Sequence, residues 1–247
     1  MMRIFMIVPM LCLSMAALAA DSFDLQVANI ELLQDKNIQK EVKITTAQHS
    51  KLESLAQAYN NKTKAKVEEY QKAKKGIDGD FQRFMLQQHD ELRTNVLKEL
   101  SAAQLKRLRE ITLQAVGPRA LLDKAVAKKV GMSDAEFTKF RAAIVEGDQK
   151  IAKIKKQVSD KIRPKYANVQ KPKTKEEAEK LQASLNKDLE SEMHKHDAEM
   201  KTIIAESEKK TAAIVKKEYL QRLKALMGTP FLPPKSSAFA PKGNGKG

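Results

Sequence analysis

The chain has 247 residues, 46 lysines and arginines against 31 aspartates and glutamates, and a formal net charge of +15. Its only cysteine, Cys12, lies near the start, so the rest of the chain offers neither disulfides nor a thiol nucleophile. So positive a charge indicates that the protein attracts anionic partners, but it carries no information about the fold.

The first nineteen residues, MMRIFMIVPMLCLSMAALA, predict a secretory signal peptide. One early cation, Arg3, precedes an almost unbroken apolar run that ends in Ala17-Leu18-Ala19, a small-x-small cleavage signal. Cleavage after Ala19 would lower the net charge from +15 to +14 and place the protein in the periplasm or outside the cell. A retained membrane anchor is the alternative interpretation. In the periplasm or outside the cell, nucleic acid is not an expected partner, whereas lipid head groups, anionic envelope polymers and acidic proteins are.

Beyond the signal peptide the sequence predicts an all-α protein. Period-2 alternation is absent, and Ala, Lys, Glu, Gln and Leu, which favour helices, dominate. We expect these elements in chain order: short helices at 25–42, long helices at 46–75 and 80–99, a helix from 101 that Gly117 ends, a short helix at 120–130, and a long helix from 133 that Pro164 ends.

The second half of the chain predicts an elongated antiparallel hairpin with coiled-coil-like packing. Apolar residues recur along its first helix at spacings of three and four, as in a heptad pattern: Phe137, Phe140, Ile144, Gly147, Ile151, Ile154 and Val158. A return helix opens at Thr174 and carries a stripe from Leu181 to Ile214. The Pro-, Gly- and Lys-rich residues 229–247 predict a disordered tail, although Phe231 and Leu232 could also fold back onto the helices.

The chain also repeats itself with an offset of 88 residues. The segment 33–52 matches the segment 121–140, and the two halves close alike, with LKRLREITLQAVG and LQRLKALMG. We therefore predict two tandem repeat units, 20–119 and 120–228, the second of which contains the long hairpin. Duplication explains the repeated motifs without catalysis, because an enzyme's chemical groups are rarely written twice in tandem.

One motif occurs three times: an apolar residue, a hydroxyl residue, two spacers, then Gln or Glu. In such a capping box the hydroxyl accepts from the backbone N–H three residues later, and the side chain there accepts from the N–H of the hydroxyl residue. The three boxes pair Thr45 with Gln48, Ser101 with Gln104, and Ser133 with Glu136. A fourth box, Thr174 with Glu177, lacks the preceding apolar residue. The motif is interpreted first as a helix-start signal.

The same residues carry a family resemblance. Ile44-Thr45-Thr46-Ala47-Gln48 and Leu100-Ser101-Ala102-Ala103-Gln104 resemble the Leu-Thr-x-x-Gln motif of Spy/CpxP-like periplasmic helical proteins. Gly228-Thr229-Pro230-Phe231 is similar to an element of related uncharacterised secreted bacterial proteins that carry the motif twice. The resemblance implies binding of unfolded periplasmic proteins without ATP, or envelope-stress signalling.

Sites for chemistry are sparse in the sequence. Met193, His196 and Met200 would share one helix face and suit Cu(I), but the same face is the predicted hairpin seam, so a core stripe is the favoured interpretation. His49 and His89 stand alone. No nucleophile motif or phosphate loop occurs, and we predict no catalytic residue, no metal and no cofactor.

A run of cations marks the predicted turn of the second hairpin. Its six members are Lys161, Arg163, Lys165, Lys171, Lys173 and Lys175. One interpretation is an ordinary solvated loop; the other is a contact to an anionic surface or an acidic client, which salt would weaken.

Two functions remain open from the sequence. The first is an exported, non-enzymatic binding protein, chaperone-like or acting in envelope stress, whose partners are unfolded or envelope proteins. The alternative is a structural protein of the cell envelope that uses the basic hairpin tip and tail to bind an anionic polymer or a membrane surface. The oligomeric state is not predicted, although a dimer is compatible with the pattern.

Overall fold

The computed structural model describes residues 21–167, 169, 172 and 174–232. The predicted signal peptide, residues 233–247 of the predicted tail, Lys171 and Lys173 lie outside these residues. The described part of the chain is all-α and contains no strand, which confirms the predicted fold class at that level.

Ten α-helices and two 3-10 helices follow one another along the described residues. The first six elements are α1 Ser22–Val27, η1 Ile30–Gln34, α2 Lys36–Glu41, α3 Thr46–Lys72, α4 Gly79–Lys98 and α5 Ala102–Val116. The other six are η2 Gly117–Leu122, α6 Lys124–Lys129, α7 Asp134–Ala167, α8 Lys175–His194, α9 Asp197–Ala212 and α10 Lys217–Met227. They form two compact units: unit 1 contains 21–115 and 227–232, and unit 2 contains 116–226.

The core of unit 1 lies where the short N-terminal helices meet the base of the α3–α4 hairpin and α5. Ile38 and Leu108 have no exposed surface, and Leu105 is 2% exposed. Burial of each such side chain contributes about 1.5–3 kcal/mol. Leu52 and Leu92, from α3 and α4, pack against this cluster while remaining partly exposed. The hairpin is therefore anchored at its base.

A buried ion pair ties α1 to α5. The Arg109 guanidinium donates from Nε to the Asp24 carboxylate at 2.8 Å, and both residues are buried. The same guanidinium lies 5.5 Å from the centroid of the Phe23 ring. Loss of the Arg109 guanidinium would leave the Asp24 carboxylate buried without this cation, which is the costly case.

The chain returns to unit 1 after α10. Gly228 adopts a left-handed φ of +63°, which allows the turn. Gln114 then donates to the Thr229 carbonyl at 2.8 Å and accepts from the Phe231 N–H at 2.7 Å, and Phe231 packs against the core of unit 1. The first residues of the predicted tail are thus held in place through Gln114.

Unit 2 is built on α7, which packs against α8 and α9. Its seam buries Ala143, Ile154 and Val158. At Gly147 the backbones come close: a Cβ added there would lie 3.2 Å from Ser207, whose hydroxyl donates to the Ala143 carbonyl. A larger residue at position 147 would crowd Ser207, which would have to move by a few tenths of an ångström.

Two predicted helix boundaries are wrong. Helix α7 does not end at Pro164 but continues to Ala167. Proline removes one hydrogen bond, to the carbonyl four residues earlier, and Asp160 is exposed, so water can replace that partner. The return helix is not continuous either: α8 ends at His194 and α9 begins at Asp197, with a tight turn through Lys195 and His196.

Candidate binding site

All four predicted capping boxes have both of their hydrogen bonds, including the box of Thr174 and Glu177 at the start of α8. Thr45 N–H donates to Gln48 Oε1 at 3.0 Å, and Gln48 N–H donates to Thr45 Oγ1 at 3.2 Å. The box of Ser101 and Gln104 has distances of 2.9 and 3.3 Å. That of Ser133 and Glu136 has the same two distances, 2.9 and 3.3 Å. These residues begin α3, α5 and α7.

In unit 1 the two glutamines of the boxes also bind each other. Gln48 Nε2 donates to Gln104 Oε1 at 2.9 Å, and Gln104 Nε2 donates to Gln48 Oε1 at 2.9 Å. Each amide reaches across to the other box as well: Gln48 donates to the Glu99 carbonyl at 2.7 Å, and Gln104 to the Lys43 carbonyl at 2.9 Å. We call this arrangement the amide clasp. It joins the starts of α3 and α5.

In unit 2, the capping-box residue Glu136 at the start of α7 makes a charged arrangement, which we call the carboxylate clasp. Glu136 accepts from the Tyr219 hydroxyl at 3.0 Å and pairs with Lys216 Nζ at 2.8 Å. The hydrogen bond from Lys216, followed by those from Ser133 and Tyr219, lowers the pKa of Glu136 to about 2. The same contact raises the pKa of Lys216. The clasp joins α7 to the start of α10.

The basic tip is more nearly neutralised than its sequence suggests. Lys161 pairs with Glu192 at 2.5 Å, Lys165 pairs with Asp188, and Lys175 pairs with Glu179 at 3.7 Å. The hydrogen bond from Lys165, then that from Tyr166, lowers the pKa of Asp188.

The acids that pair with Lys161 and Lys165 belong to α8 and lie beyond Lys175 in the sequence. The run of cations therefore did not reveal them. Arg163 is exposed. Lys171 and Lys173 lie outside the described residues, so the structure does not place them.

The Met193, His196 and Met200 set does not lie on one continuous helix. His196 is in the turn between α8 and α9, where its Nδ1 lies 3.1 Å from Glu199, and all three side chains are half-buried. No group of three His, Cys, Asp or Glu residues in the described chain is arranged to hold a metal ion.

A cavity of about 420 Å³ opens in unit 1 beside the α3–α4 hairpin. Its apolar surface comes from Leu33 of η1, Leu52 and Tyr59 of α3, and Leu92 and Val96 of α4. Its other lining residues are Ile30, Glu31, Gln34, Gln39, His49, Glu53, Ala56 and His89. The cavity has the volume typical of a ligand pocket, with a mainly apolar wall and several polar groups.

Along α3 the residues that line the cavity are His49, Leu52, Glu53, Ala56 and Tyr59, whose spacing places them on one face of the helix. Ala56 has the smallest side chain among them. The short helix η1 covers only part of the hairpin. The core next to the cavity is closely packed, as the 5% exposure of Val96 shows.

Two histidine–carboxylate pairs stand at the edge of the cavity. His49 Nδ1 lies 3.5 Å from Glu53 Oε2, and His89 Nε2 lies 3.6 Å from Glu31 Oε1. All four side chains are substantially exposed, between 39% and 71%. From the sequence both histidines were expected to stand alone. Only the spacing of His49 and Glu53, one helical turn apart, was a local signal for one of these pairs.

A wider depression of about 740 Å³ lies at the amide clasp. Its polar side chains already bind one another: Arg107 donates to Glu41 at 2.6 Å, to Glu110 at 2.9 Å and to the Thr229 carbonyl at 2.8 Å. Because these groups already bind one another, the depression leaves a ligand fewer groups to contact than the 420 Å³ cavity does. The cavity is therefore the candidate binding site.

When the chain is compared with known proteins, no family model, no curated protein and no solved structure matches it. No helix in the described part of the chain is both long and apolar enough to cross a membrane.

Proposed function

We propose that the protein is an exported, non-enzymatic helical binding protein that holds apolar segments of unfolded or partner envelope proteins. The observation that supports this most directly is the cavity of about 420 Å³ in unit 1, whose apolar wall stays open to solvent. A concave, mainly apolar surface with a few polar groups at its edge is the usual form of a binding site. Binding of this kind requires neither ATP nor a cofactor.

The resemblance to Spy/CpxP-like proteins supports the same function. It rests on the capping boxes of Thr45 and Ser101, and together with the predicted signal peptide it favours a location in the periplasm or outside the cell. The partners are then unfolded or envelope proteins, and the net charge of +15 favours acidic ones at long range.

We also propose that the chain contains two tandem repeats. Support comes from the local backbone: Asp35 and Asp123, 88 residues apart, cap α2 and α6 in the same way. Lys43 and Gly131, also 88 residues apart, both have a positive φ, of 58° and 88°. The heptad-like seam of α7 further supports coiled-coil-like packing of the second hairpin.

An aggregation assay tests the binding function. A denatured client protein is diluted into buffer without ATP, and light scattering is followed with and without the protein. We expect stoichiometric wild-type protein to suppress the scattering, and Ala56→Trp, which fills the mouth of the cavity, to lose most of that effect. Ala65→Trp is the matched control, since Ala65 is another exposed alanine of α3 and does not line the cavity.

Failure of the wild type to suppress scattering would contradict a chaperone-like function. Equal suppression by the wild type and both variants would show that the cavity has no part in the chaperone-like function.

The alternative function, a structural protein that binds an anionic polymer or a membrane surface, has one supporting observation. Arg163 is exposed, and Val169, in the turn that follows α7, is 45% exposed. Binding to anionic vesicles that high salt abolishes would support it. Unchanged binding after charge reversal of Lys171, Lys173 and Lys175 to Glu would rule out the basic tip as the surface that binds the vesicles.

A further inference from the structure

The cavity of unit 1 is locally acidic in a strongly basic protein. Glu31 on η1 and Glu53 on α3 stand on different walls of it, with side chains 63% and 71% exposed. None of the thirteen described residues that line the cavity is Lys or Arg. The chain as a whole carries +15, so the charge at this site is opposite in sign to the protein's average.

The polar groups of the rim define what they can bind. A carboxylate is only an acceptor, so it binds ammonium and guanidinium groups and backbone N–H, and it repels acidic side chains. One of the two amide N–H donors of Gln39 is occupied, since Nε2 donates to the Leu33 carbonyl at 2.6 Å.

We propose that the cavity selects polypeptide segments in which an apolar side chain is flanked by Lys or Arg. The apolar side chain occupies the space between Leu52, Leu92 and Val96, and the flanking cations pair with Glu31 and Glu53. This inference rests on the proposed function and names the class of segment that the site prefers. It also separates two steps: the overall charge favours encounter with acidic clients, whereas the cavity retains their basic apolar segments.

Fluorescence anisotropy with three labelled peptides tests the proposal. Each peptide has the same Leu-Phe centre, flanked on both sides by Lys, by Ser or by Glu. The measurement is made at pH 8, where imidazole is ordinarily neutral and does not compensate a carboxylate. For the wild type we expect the Lys-flanked peptide to bind about fivefold more tightly than the Ser-flanked one, as two exposed ion pairs allow.

The double variant Glu31→Gln/Glu53→Gln should bind the Lys-flanked and Ser-flanked peptides equally. The control Glu68→Gln/Asp80→Asn removes the same charge from elsewhere on the hairpin, so it should keep the wild-type preference. The ratio of affinities within each protein cancels the long-range effect of net charge. Circular dichroism of every variant establishes that the helices are intact.

The outcomes separate the two proposals. Equal binding of the Lys-flanked and Ser-flanked peptides by the wild type, or an unchanged preference in Glu31→Gln/Glu53→Gln, overturns the selection by the rim and leaves the binding function standing. If none of the three peptides binds to the wild type, both the selection by the rim and the binding function are overturned.

Discussion

The two clasps solve the same structural problem with different chemistry. In unit 1, Gln48 and Gln104 exchange two hydrogen bonds of 2.9 Å and bring together the starts of α3 and α5. In unit 2, Glu136 joins the start of α7 to the start of α10 through Lys216 and Tyr219. A helix-capping residue can therefore also fix tertiary structure, and its chemistry sets the conditions under which it does so.

The difference follows from the number of donors. A glutamine amide both donates and accepts, so each glutamine caps its own helix with Oε1 and donates across with Nε2. A glutamate accepts only, so Glu136 needs donors from its partners, which Lys216 and Tyr219 supply. The amide clasp carries no titratable group, whereas the carboxylate clasp depends on charge. Unit 1 and unit 2 should therefore respond differently to mutation, pH and salt.

Truncation of the amide clasp is the change with the largest expected effect. Gln104→Ala removes the partner of Gln48 Nε2 and of the Ser101 N–H, and it leaves the Lys43 carbonyl without its donor. We expect a loss of about 1–3 kcal/mol in the free energy of unfolding of unit 1. Hydrogen exchange measured by mass spectrometry on peptides from α3 and α5 reports the loss.

Gln71→Ala, at an exposed position of α3, is the control for this experiment and should change exchange little. Equal protection in Gln104→Ala and wild type would show that the two amides do not hold the helices together.

Acidification should destabilise unit 2 before unit 1. The pKa values of Glu136, Glu146 and Glu192, all in unit 2, are lowered to about 2 by hydrogen bonds from lysines, below an ordinary value of 4.5. A carboxylate whose pKa is lower in the folded protein stabilises it above pH 4.5, and that contribution is lost as pH falls from 4.5 towards 2. Hydrogen exchange at pH 5 and after a pulse at pH 2.5 should show opening in α7–α10.

Replacement of Glu136, Glu146 and Glu192 by Gln should flatten this acid response of unit 2. The control replaces Glu190, Glu208 and Glu218, three exposed acids of the same unit, and should retain it. An identical response in the two triple variants would contradict the assignment.

A change in salt concentration should produce the smallest difference in stability between the two units. Glu136→Gln removes the charge that attracts Lys216 but keeps an acceptor for the Ser133 N–H. We expect it to destabilise unit 2 less than Gln104→Ala destabilises unit 1, because exposed ion pairs contribute little. The wild-type protection of α10 should fall as NaCl is raised, whereas that of Glu136→Gln should not. Salt sensitivity that persists in the variant would mean that other charges dominate.

Much of the fold could be predicted because its signals are local. Thr45 and Gln48 are three residues apart, and their two hydrogen bonds follow from the geometry of any helix start. Gly117 has a left-handed φ of +63° where a helix was expected to end. The break at His196 and the passage of α7 through Pro164 were missed, since these depend on tertiary packing and solvent, which override local preference.

The sequence by itself determined where most helices begin and their amphipathic faces, because those depend on neighbours within one or two turns. The positive charge follows from composition alone. Only the tertiary structure decided what these residues contact. It paired Gln48 with Gln104 across 56 positions, and it balanced Lys165 with Asp188 of α8. It also brought Glu31 and Glu53 to one apolar cavity. The physical reason is that side-chain hydrogen bonds and ion pairs need atoms within about 3–4 Å, a condition fixed by the packing of separate helices.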